Sequence, residues 1–253
     1  MNMKSNVVKI WVGVGVCVLS GATAIATPVR SVDAEIDRPS VTQSEIPVER
    51  TADAAGWMVA QGGEGDGKPE FQDKLSGAQL VSALRQGGYI IFFRHAQTEK
   101  DYADQVTAVM GKCDTQRMLS EEGWKQSRMI GEGFEKLKLP VGKVYSSEYC
   151  RAWQTADLAF GRYEKVSGLN FPKAAEYTEA QKAQMRAGIM PMLTAPPAAG
   201  TNTVIVGHDD VFDAATGIYP EPQGVAYILK AMPDGKLDIV ANMLPDEWLK
   251  LPR

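Results

Sequence analysis

The stretch that decides the fold is YIIFFRHAQT, residues 89 to 98, in which an unbroken apolar run leads directly into Arg94 and His95. Short runs of β-branched and aromatic residues are typical of a strand that is buried on both faces of a sheet. A second stretch, TVIVGHDD, residues 203 to 210, has the same form and leads into His208. Two such strands predict a parallel sheet that is covered by helices on both sides.

The chain contains only two histidines, and each one follows one of these strands. In open α/β sheets, ligands bind in the crevice beyond the carboxyl ends of the strands. We therefore expect His95 and His208 to lie together in a ligand site. The alternative, that they only satisfy buried hydrogen bonds, is less favoured because both have charged neighbours in the sequence.

Two arginines accompany the histidines. Arg94 precedes His95, and the string SSEYCRAWQTA, residues 146 to 156, places Arg151 at the predicted start of a helix. Guanidinium groups bind phosphate oxygens bidentately, and a helix N-terminus adds backbone donors and a positive dipole end. The sequence therefore predicts a basic phosphate site that contains an imidazole nucleophile.

The spacing of apolar residues predicts three helices, which begin after Ser76, after Ser120 and after a short strand at 143–146. Their buried faces are predicted to carry Leu80, Val81 and Leu84; Trp124, Ile130, Phe134 and Leu137; and Trp153, Ala156 and Phe160. Segments 224–231 and 237–241 predict a C-terminal hairpin. The alternation of strands and helices predicts a three-layer α/β/α sandwich with a mostly parallel central sheet.

These motifs resemble the histidine phosphatase superfamily, which is also called phosphoglycerate mutase-like. The matching residues are Arg94-His95-Ala96 with Thr98, the segment 147–156, and Val206-Gly207-His208. They occur in the family's order, and the resemblance covers residues 71 to 253. Three ordered motifs within one α/β pattern are far more specific than one arginine-histidine pair.

The resemblance implies hydrolysis of phosphate esters in two steps. His95 attacks phosphorus to give a phosphohistidine, while Arg94, Arg151 and His208 hold the phosphoryl oxygens, and water then releases phosphate. The predicted function is that of a phosphomonoesterase, a hydrolase acting on a small phosphorylated substrate. The alternative is a catalytically weak phosphate-binding or sensor module with the same fold.

The proton donor and the accessory contacts are left open at this point. Asp209 resembles the acid of the phytase and acid phosphatase branch, although an aspartate there also suits a helix cap. The mutase-like branch has a glutamate in a Leu-x-Glu context, where this chain has residues 169–171, LNF, so Glu176 is the second choice. Gln97 and Thr98 are candidate substrate contacts, with ordinary loop hydrogen bonding as the alternative.

Composition narrows the range of partners. The net charge is −4 and the isoelectric point is about 5.4, with no long basic run, so a nucleic acid partner is not expected. No Cys/His cluster has zinc-site spacing, and neither a metal nor a cofactor is expected. The oligomeric state is not predicted.

The N-terminal part of the chain differs from the rest. Residues 1–27 combine two lysines, an apolar stretch and small residues, which predicts a signal peptide. The alternative is an uncleaved membrane anchor over residues 10–29. Residues 28–70 predict a flexible linker to a histidine phosphatase domain at 71–253. The protein is therefore expected to be exported, either periplasmic or secreted.

Cleavage would leave two cysteines, Cys113 and Cys150. An even pair in an exported protein predicts a disulfide, which here would connect the loop before Ser120 to the segment that carries Arg151. Two buried thiols are the alternative.

Overall fold

The computed structural model describes residues 71–99, 108–174 and 176–253. The predicted signal peptide or anchor at 1–27 and the predicted linker at 28–70 lie outside the described residues. Within the described ranges, no helix combines the length and the apolar character that crossing a bilayer requires.

Strands and helices alternate along the described chain. The strands are β1 (Ile90–Arg94), β2 (Val141–Ser146), β3 (Glu164–Lys165), β4 (Asn202–Gly207), β5 (Ala226–Ala231) and β6 (Leu237–Met243). The helices are α1 (Gly77–Gln86), α2 (Glu121–Leu137), α3 (Cys150–Phe160), α4 (Glu179–Thr194), α5 (Asp209–Thr216) and α6 (Glu247–Lys250). Short 3₁₀ turns occur at Cys113–Thr115 and Ser167–Leu169.

The strands form one sheet in the order β3-β2-β4-β1-β5-β6. Strands β1 to β4 are parallel to one another, whereas β5 and β6 form an antiparallel hairpin beside β1. Every residue of β1 and β4 is buried, as expected for central strands with a helical layer on each face. The predicted mostly parallel sheet and the predicted C-terminal hairpin are confirmed.

Successive side chains of β1 point to opposite faces of the sheet and enter different cores. Ile91 and Phe93 pack in one core with residues of α1, α2, α3 and α6. Ile90 and Phe92 pack in the other core with residues of α4 and α5, where Phe92 stacks on Phe212 at 4.2 Å between ring centroids. The described residues therefore form the predicted three-layer sandwich.

The two serines that precede α1 and α2 behave differently. Ser120 precedes α2, and its hydroxyl oxygen accepts the Gly123 N–H at 3.1 Å, which satisfies one free donor of the first turn. Ser76 precedes α1 as predicted, but its side chain makes no capping hydrogen bond. The starts of α1 and α2 were both predictable from the sequence. A serine side chain caps the first turn only in α2.

The prediction of buried tryptophans was wrong for Trp124, which is 47% exposed. Successive helix residues are about 100° apart, and the buried side of α2 at this point belongs to Gly123. A Cβ at Gly123 would lie 1.9 Å from the carbonyl oxygen of Gln97, so glycine allows α2 to pack directly on the loop after His95. Trp153 of α3 is half-buried rather than in the core.

The carboxyl ends of β1, β2 and β4 meet at one edge of the sheet. In the strand register, Arg94 lies beside Gly207, and Ser146 lies beside Val206. The residue that follows each strand therefore enters the same small volume, and these residues are His95, Ser147 and His208.

Candidate functional site

His95 is held in one tautomer by its neighbours. The ring is 1% exposed, and Nδ1 lies 2.8 Å from the carbonyl oxygen of Ala96. A carbonyl oxygen only accepts, so we assign the ring proton to Nδ1. Nε2 then carries the lone pair and accepts the Nε–H of Arg151 at 3.0 Å.

The surroundings of His95 also keep the ring uncharged. Burial is the main cause that holds the pKa of His95 well below its usual value, and the nearby charge of Arg151 is the next. The charges of Arg94 and Arg117 lower this pKa further, whereas the hydrogen bond to Ala96 raises it. His95 is therefore a neutral imidazole at neutral pH, as a nitrogen nucleophile requires.

His208 lies beside His95, with the two ring centroids 5.4 Å apart. Its ring is fully buried and packs edge-on against Tyr149 and Phe171. Nε2 lies 2.9 Å from the hydroxyl oxygen of Ser147. Nδ1 is buried and has no hydrogen-bond partner within the described residues, so this nitrogen is available for a ligand atom.

Arg151 is the second residue of α3 and is 3% exposed. Its guanidinium carbon lies 5.0 Å from the ring centroid of Tyr149 and 5.3 Å from that of Phe171. These cation–π contacts, together with the hydrogen bond to His95, hold the cation at the start of the helix, where backbone donors also favour an anion.

Arg94 has a different set of contacts. Its Nη2 lies 2.5 Å from Oδ2 of Asp209, and its Nη1 donates to the carbonyl oxygen of Pro220 at 2.9 Å. The Tyr219 hydroxyl donates to the same carboxylate oxygen of Asp209 at 2.8 Å, and the Arg94 guanidinium lies over the Tyr219 ring. Arg94 is thus fixed between the first turn of α5 and the loop that follows this helix.

The two acid candidates are placed very differently. Asp209 reaches the site through its ion pair with Arg94, whereas Glu176 lies exposed in the segment before α4. The alternative role of Asp209, as the cap of helix α5, is supported by one contact but not by its position. His208 occupies the N-cap position, but Oδ1 of Asp209 accepts the neighbouring N–H of Asp210 at 3.0 Å.

A disulfide joins the loop before α2 to the start of α3. Cys113 and Cys150 are bonded, with their Cα atoms 5.6 Å apart, which confirms the predicted bridge. Gln116, from the same loop, accepts the Cys150 N–H at 2.8 Å. On the other side of the site, the Thr155 hydroxyl accepts the Ala96 N–H at 3.0 Å. The helix that carries Arg151 is therefore attached to both neighbouring loops.

The structure places Gln97 and Thr98 in hydrogen bonds that hold the loop. The Gln97 N–H donates to the side chain of Gln126, and the Gln97 carbonyl accepts from Ser120. The N–H and the hydroxyl of Thr98 both donate to the side-chain oxygen of Gln223. These contacts agree with the alternative interpretation, in which Gln97 and Thr98 form ordinary hydrogen bonds within the loop.

Two residues, Ser147 and Asn170, reach the site without having been assigned a role from the sequence, and the charge of Arg117 also acts there. The Arg117 charge lowers the pKa of both imidazoles, whereas Lys112, in the same loop, is exposed. Ser147 lies inside the second arginine motif but has no distinguishing sequence signal. Asn170 arrives from the 3₁₀ turn at 167–169 and hydrogen-bonds to Ser147, a contact that only the fold creates.

The match to one family model agrees with the first two motifs. Residues 90–170 match the family model described as "Histidine phosphatase superfamily (branch 1)". The protein histidine phosphatase SixA complexed with tungstate aligns at 14% identity with a TM-score of 0.45, over 63% of this chain and 98% of its own. Phosphoserine phosphatase from Entamoeba histolytica in complex with 3-phosphoglyceric acid aligns at 14% identity with a TM-score of 0.44, over 61% of this chain and 95% of its own.

A search of curated protein sequences found no match to this chain. The family match contains the first two motifs predicted from the sequence, those of His95 and Arg151, and it ends before His208. Over residues 90–170, the chain is therefore similar to branch 1 of the histidine phosphatase superfamily.

Proposed function

We propose that this protein is a phosphomonoesterase that hydrolyses small phosphate esters through a phosphohistidine on His95. The observation that carries the proposal is the state of this ring: Nε2 has its lone pair free of a proton and lies 3.0 Å from the guanidinium of Arg151. A neutral nitrogen nucleophile directly beside a buried cation is the combination that attack on a phosphate ester requires.

The first chemical step joins His95 to phosphorus. Arg94, Arg151 and the Nδ1 side of His208 surround the phosphoryl oxygens, and the charge of Arg117 adds to the positive field. The Nε2 lone pair forms the N–P bond while the P–O bond to the leaving group breaks. The Nδ1–H bond to the Ala96 carbonyl stabilises the positive charge that develops on the ring.

The second step restores the imidazole. Water attacks phosphorus, the N–P bond breaks and its electron pair returns to Nε2. Inorganic phosphate then leaves with one of the two protons of the attacking water, and the other proton is released. The released proton returns to the group that protonated the leaving oxygen in the first step. Arg94 and Arg151 keep their positive charges throughout.

We assign Asp209 as the donor that protonates the leaving oxygen. Its contact with Arg94 supports this assignment, because a bound phosphoryl group would compete with Asp209 for the same guanidinium. Release from Arg94 would leave this carboxylate oxygen free to contact the leaving group. Glu176 has no comparable position.

One observation favours the second candidate, a phosphate-binding or sensor module. Arg94 and Tyr219 both donate to Asp209 in the structure, and this arrangement suits an ionised carboxylate rather than a proton donor. A protein without a working acid would bind phosphate groups but hydrolyse only esters with good leaving groups.

The Asp209→Asn variant of the full chain separates the two functions. If Asp209 is the acid, the hydrolysis rate should fall by about one to three orders of magnitude more for an alkyl phosphate than for p-nitrophenyl phosphate, whose leaving group needs little protonation. Asp210→Asn is the matched control, because that carboxylate accepts from Tyr177 instead of contacting Arg94. A small and equal loss on both esters would remove Asp209 from the mechanism, and a wild type that hydrolyses only activated esters would favour the binding module.

We also propose that the protein works outside the cytoplasm. The export features of residues 1–27 support this location, as does the Cys113–Cys150 disulfide, because such bonds persist in oxidising compartments. Cell fractionation with an N-terminal sequence of the mature protein tests the proposal, and it also distinguishes a cleaved signal peptide from an anchor over residues 10–29.

A further inference from the structure

A chain of hydrogen bonds connects the backbone of Glu148 to His208. The Glu148 N–H donates to Oδ1 of Asn170 at 3.0 Å, and Nδ2 of Asn170 donates to the Glu148 carboxylate at 2.6 Å. A backbone N–H only donates and a carboxylate accepts, so both ends of the Asn170 amide are fixed in orientation.

The orientation of Asn170 decides what Ser147 does. Because Oδ1 of Asn170 only accepts, the Ser147 hydroxyl must give it the single proton that a serine has, over 2.7 Å. The Ser147 oxygen is then an acceptor for its other two partners, the Tyr149 N–H at 3.2 Å and Nε2 of His208 at 2.9 Å. Nε2 of His208 must therefore carry a proton.

The consequence lies on the other ring nitrogen of His208. With the proton on Nε2, a neutral ring has a lone pair at Nδ1, which is buried and unpartnered within the described residues. A lone pair repels a fully ionised phosphate oxygen, because both atoms are acceptors. His208 becomes a phosphate donor only after Nδ1 has gained a proton.

We propose that Ser147 and Asn170 are positioning residues that set the tautomer of His208, so that the site takes up one proton on Nδ1 with each phosphate dianion that it binds. The proton comes from solvent, forms a bond to the Nδ1 lone pair, and is then donated to a phosphoryl oxygen. A monoanionic ester instead transfers its own proton to Nδ1, without net uptake. The inference rests on the proposed function, since it concerns the same phosphate site.

The charges around His208 agree with this behaviour. Burial is the largest cause that lowers the pKa of His208, and the positive or titratable groups that act in the same direction are Arg151, His95, Arg117 and Arg94, in that order. The acidic groups on its own helix are engaged elsewhere, Asp209 with Arg94 and Asp210 with Tyr177. Without an anion beside it the ring is neutral, and two negative charges beside Nδ1 favour the imidazolium.

The presence of only two histidines makes the tautomers directly measurable. In full-length protein labelled with ¹⁵N-histidine, long-range ¹H–¹⁵N correlations should show opposite tautomers, with the proton on Nδ1 of His95 and on Nε2 of His208. The His95→Gln variant assigns the signals. In saturating tungstate, a dianion at neutral pH, His208 should take up a proton from solvent and carry protons on both ring nitrogens. A proton on Nδ1 of His208 before tungstate is added would overturn the inference.

Calorimetry then tests the role of Ser147. Tungstate titrations near neutral pH, in buffers of different ionisation enthalpy, should show uptake of about one proton per tungstate and an affinity that falls about tenfold per pH unit. Ser147→Ala frees the ring to place its proton on Nδ1, so uptake should fall towards zero. Ser146→Ala is the matched control, because that buried hydroxyl donates to the Ser147 carbonyl and takes no part in the chain of bonds.

The possible failures are distinguishable. Tungstate binding without proton uptake by the wild type, or unchanged uptake by Ser147→Ala, overturns the inference and leaves the phosphatase proposal intact. No detectable tungstate binding overturns both, because the inference and the proposed function require the same oxyanion site.

Discussion

At His95, two neighbours act on the two ring nitrogens in different ways. The Ala96 carbonyl fixes the proton on Nδ1, and Arg151 both donates to Nε2 and repels a second proton from the ring. A bound phosphoryl group offers Arg151 a better acceptor than a neutral nitrogen, since charge-assisted hydrogen bonds are about twice as strong as neutral ones. The same guanidinium can therefore keep the nucleophile deprotonated and then release it as the substrate arrives.

The pH dependence of catalysis follows from this arrangement. Because the pKa of His95 is lowered, its neutral form persists to a lower pH than that of an ordinary histidine, and the acid limb of kcat/KM should lie well below the usual histidine pKa. Arg151→Ala should reduce kcat/KM by roughly 10² or more, and it should also move this limb to higher pH by removing a repulsive charge.

Profiles of kcat/KM against pH with an aryl phosphate measure both effects. Arg128→Ala serves as the control, because this arginine is exposed on α2 and is not one of the charges that lower the pKa of either imidazole. An Arg151→Ala enzyme with reduced activity but an unmoved acid limb would show that Arg151 does not tune the nucleophile.

At the scale of the elements, the sequence predicted the parts of the fold that depend on local pattern. Strands β1 and β4 were recognisable because both faces are apolar, and their parallel register brings His95 and His208 together. The burial of Trp124 was predicted wrongly, because a glycine one position earlier faces the core. Asn170 was not predictable, since its role depends on a 3₁₀ turn that approaches the end of β2 from a distant part of the chain.

Gly123 gives a test of the contact between α2 and the loop after His95. In an open helix, Gly→Ala stabilises by up to about 1 kcal/mol. Here the new methyl group would lie 1.9 Å from the Gln97 carbonyl oxygen, so one of the two elements must move. We expect Gly123→Ala to lower the free energy of unfolding by about 1 to 3 kcal/mol and to reduce activity by displacing the loop that carries His95.

Urea unfolding monitored by circular dichroism measures the loss of stability, and Glu132→Ala, on the exposed face of the same helix, is the control. A Gly123→Ala protein as stable and as active as the wild type would mean that α2 and this loop are not in close contact.

At the scale of the whole molecule, the disulfide links stability to the site. It joins residues that are 37 positions apart, and it anchors the loop of Gln116 and Arg117 to the first residue of α3. Closing a loop of this length restricts the unfolded chain by up to about 4 kcal/mol, and the same bond fixes the start of the helix that presents Arg151.

We therefore expect peptide mass mapping of the exported protein to find Cys113 linked to Cys150, and we expect reduction to lower the unfolding free energy by up to about 4 kcal/mol. A Cys113→Ser, Cys150→Ser double variant should resemble the reduced protein and should not respond to reductant. Two thiols that alkylate readily in the exported protein without prior reduction would contradict the bridge and would weaken the proposed location.

The central claim is that Nε2 of His95 becomes phosphorylated, and rapid-quench labelling tests it most directly. The full chain is mixed with a ³²P-labelled aryl phosphate and quenched within one turnover, either in alkali or in acid. A phosphohistidine contains a P–N bond, which survives alkali and hydrolyses in acid. We predict label on His95 after the alkaline quench, little label after the acid quench, and neither label nor turnover in His95→Ala. Label that survives acid, or normal turnover by His95→Ala, would contradict the account.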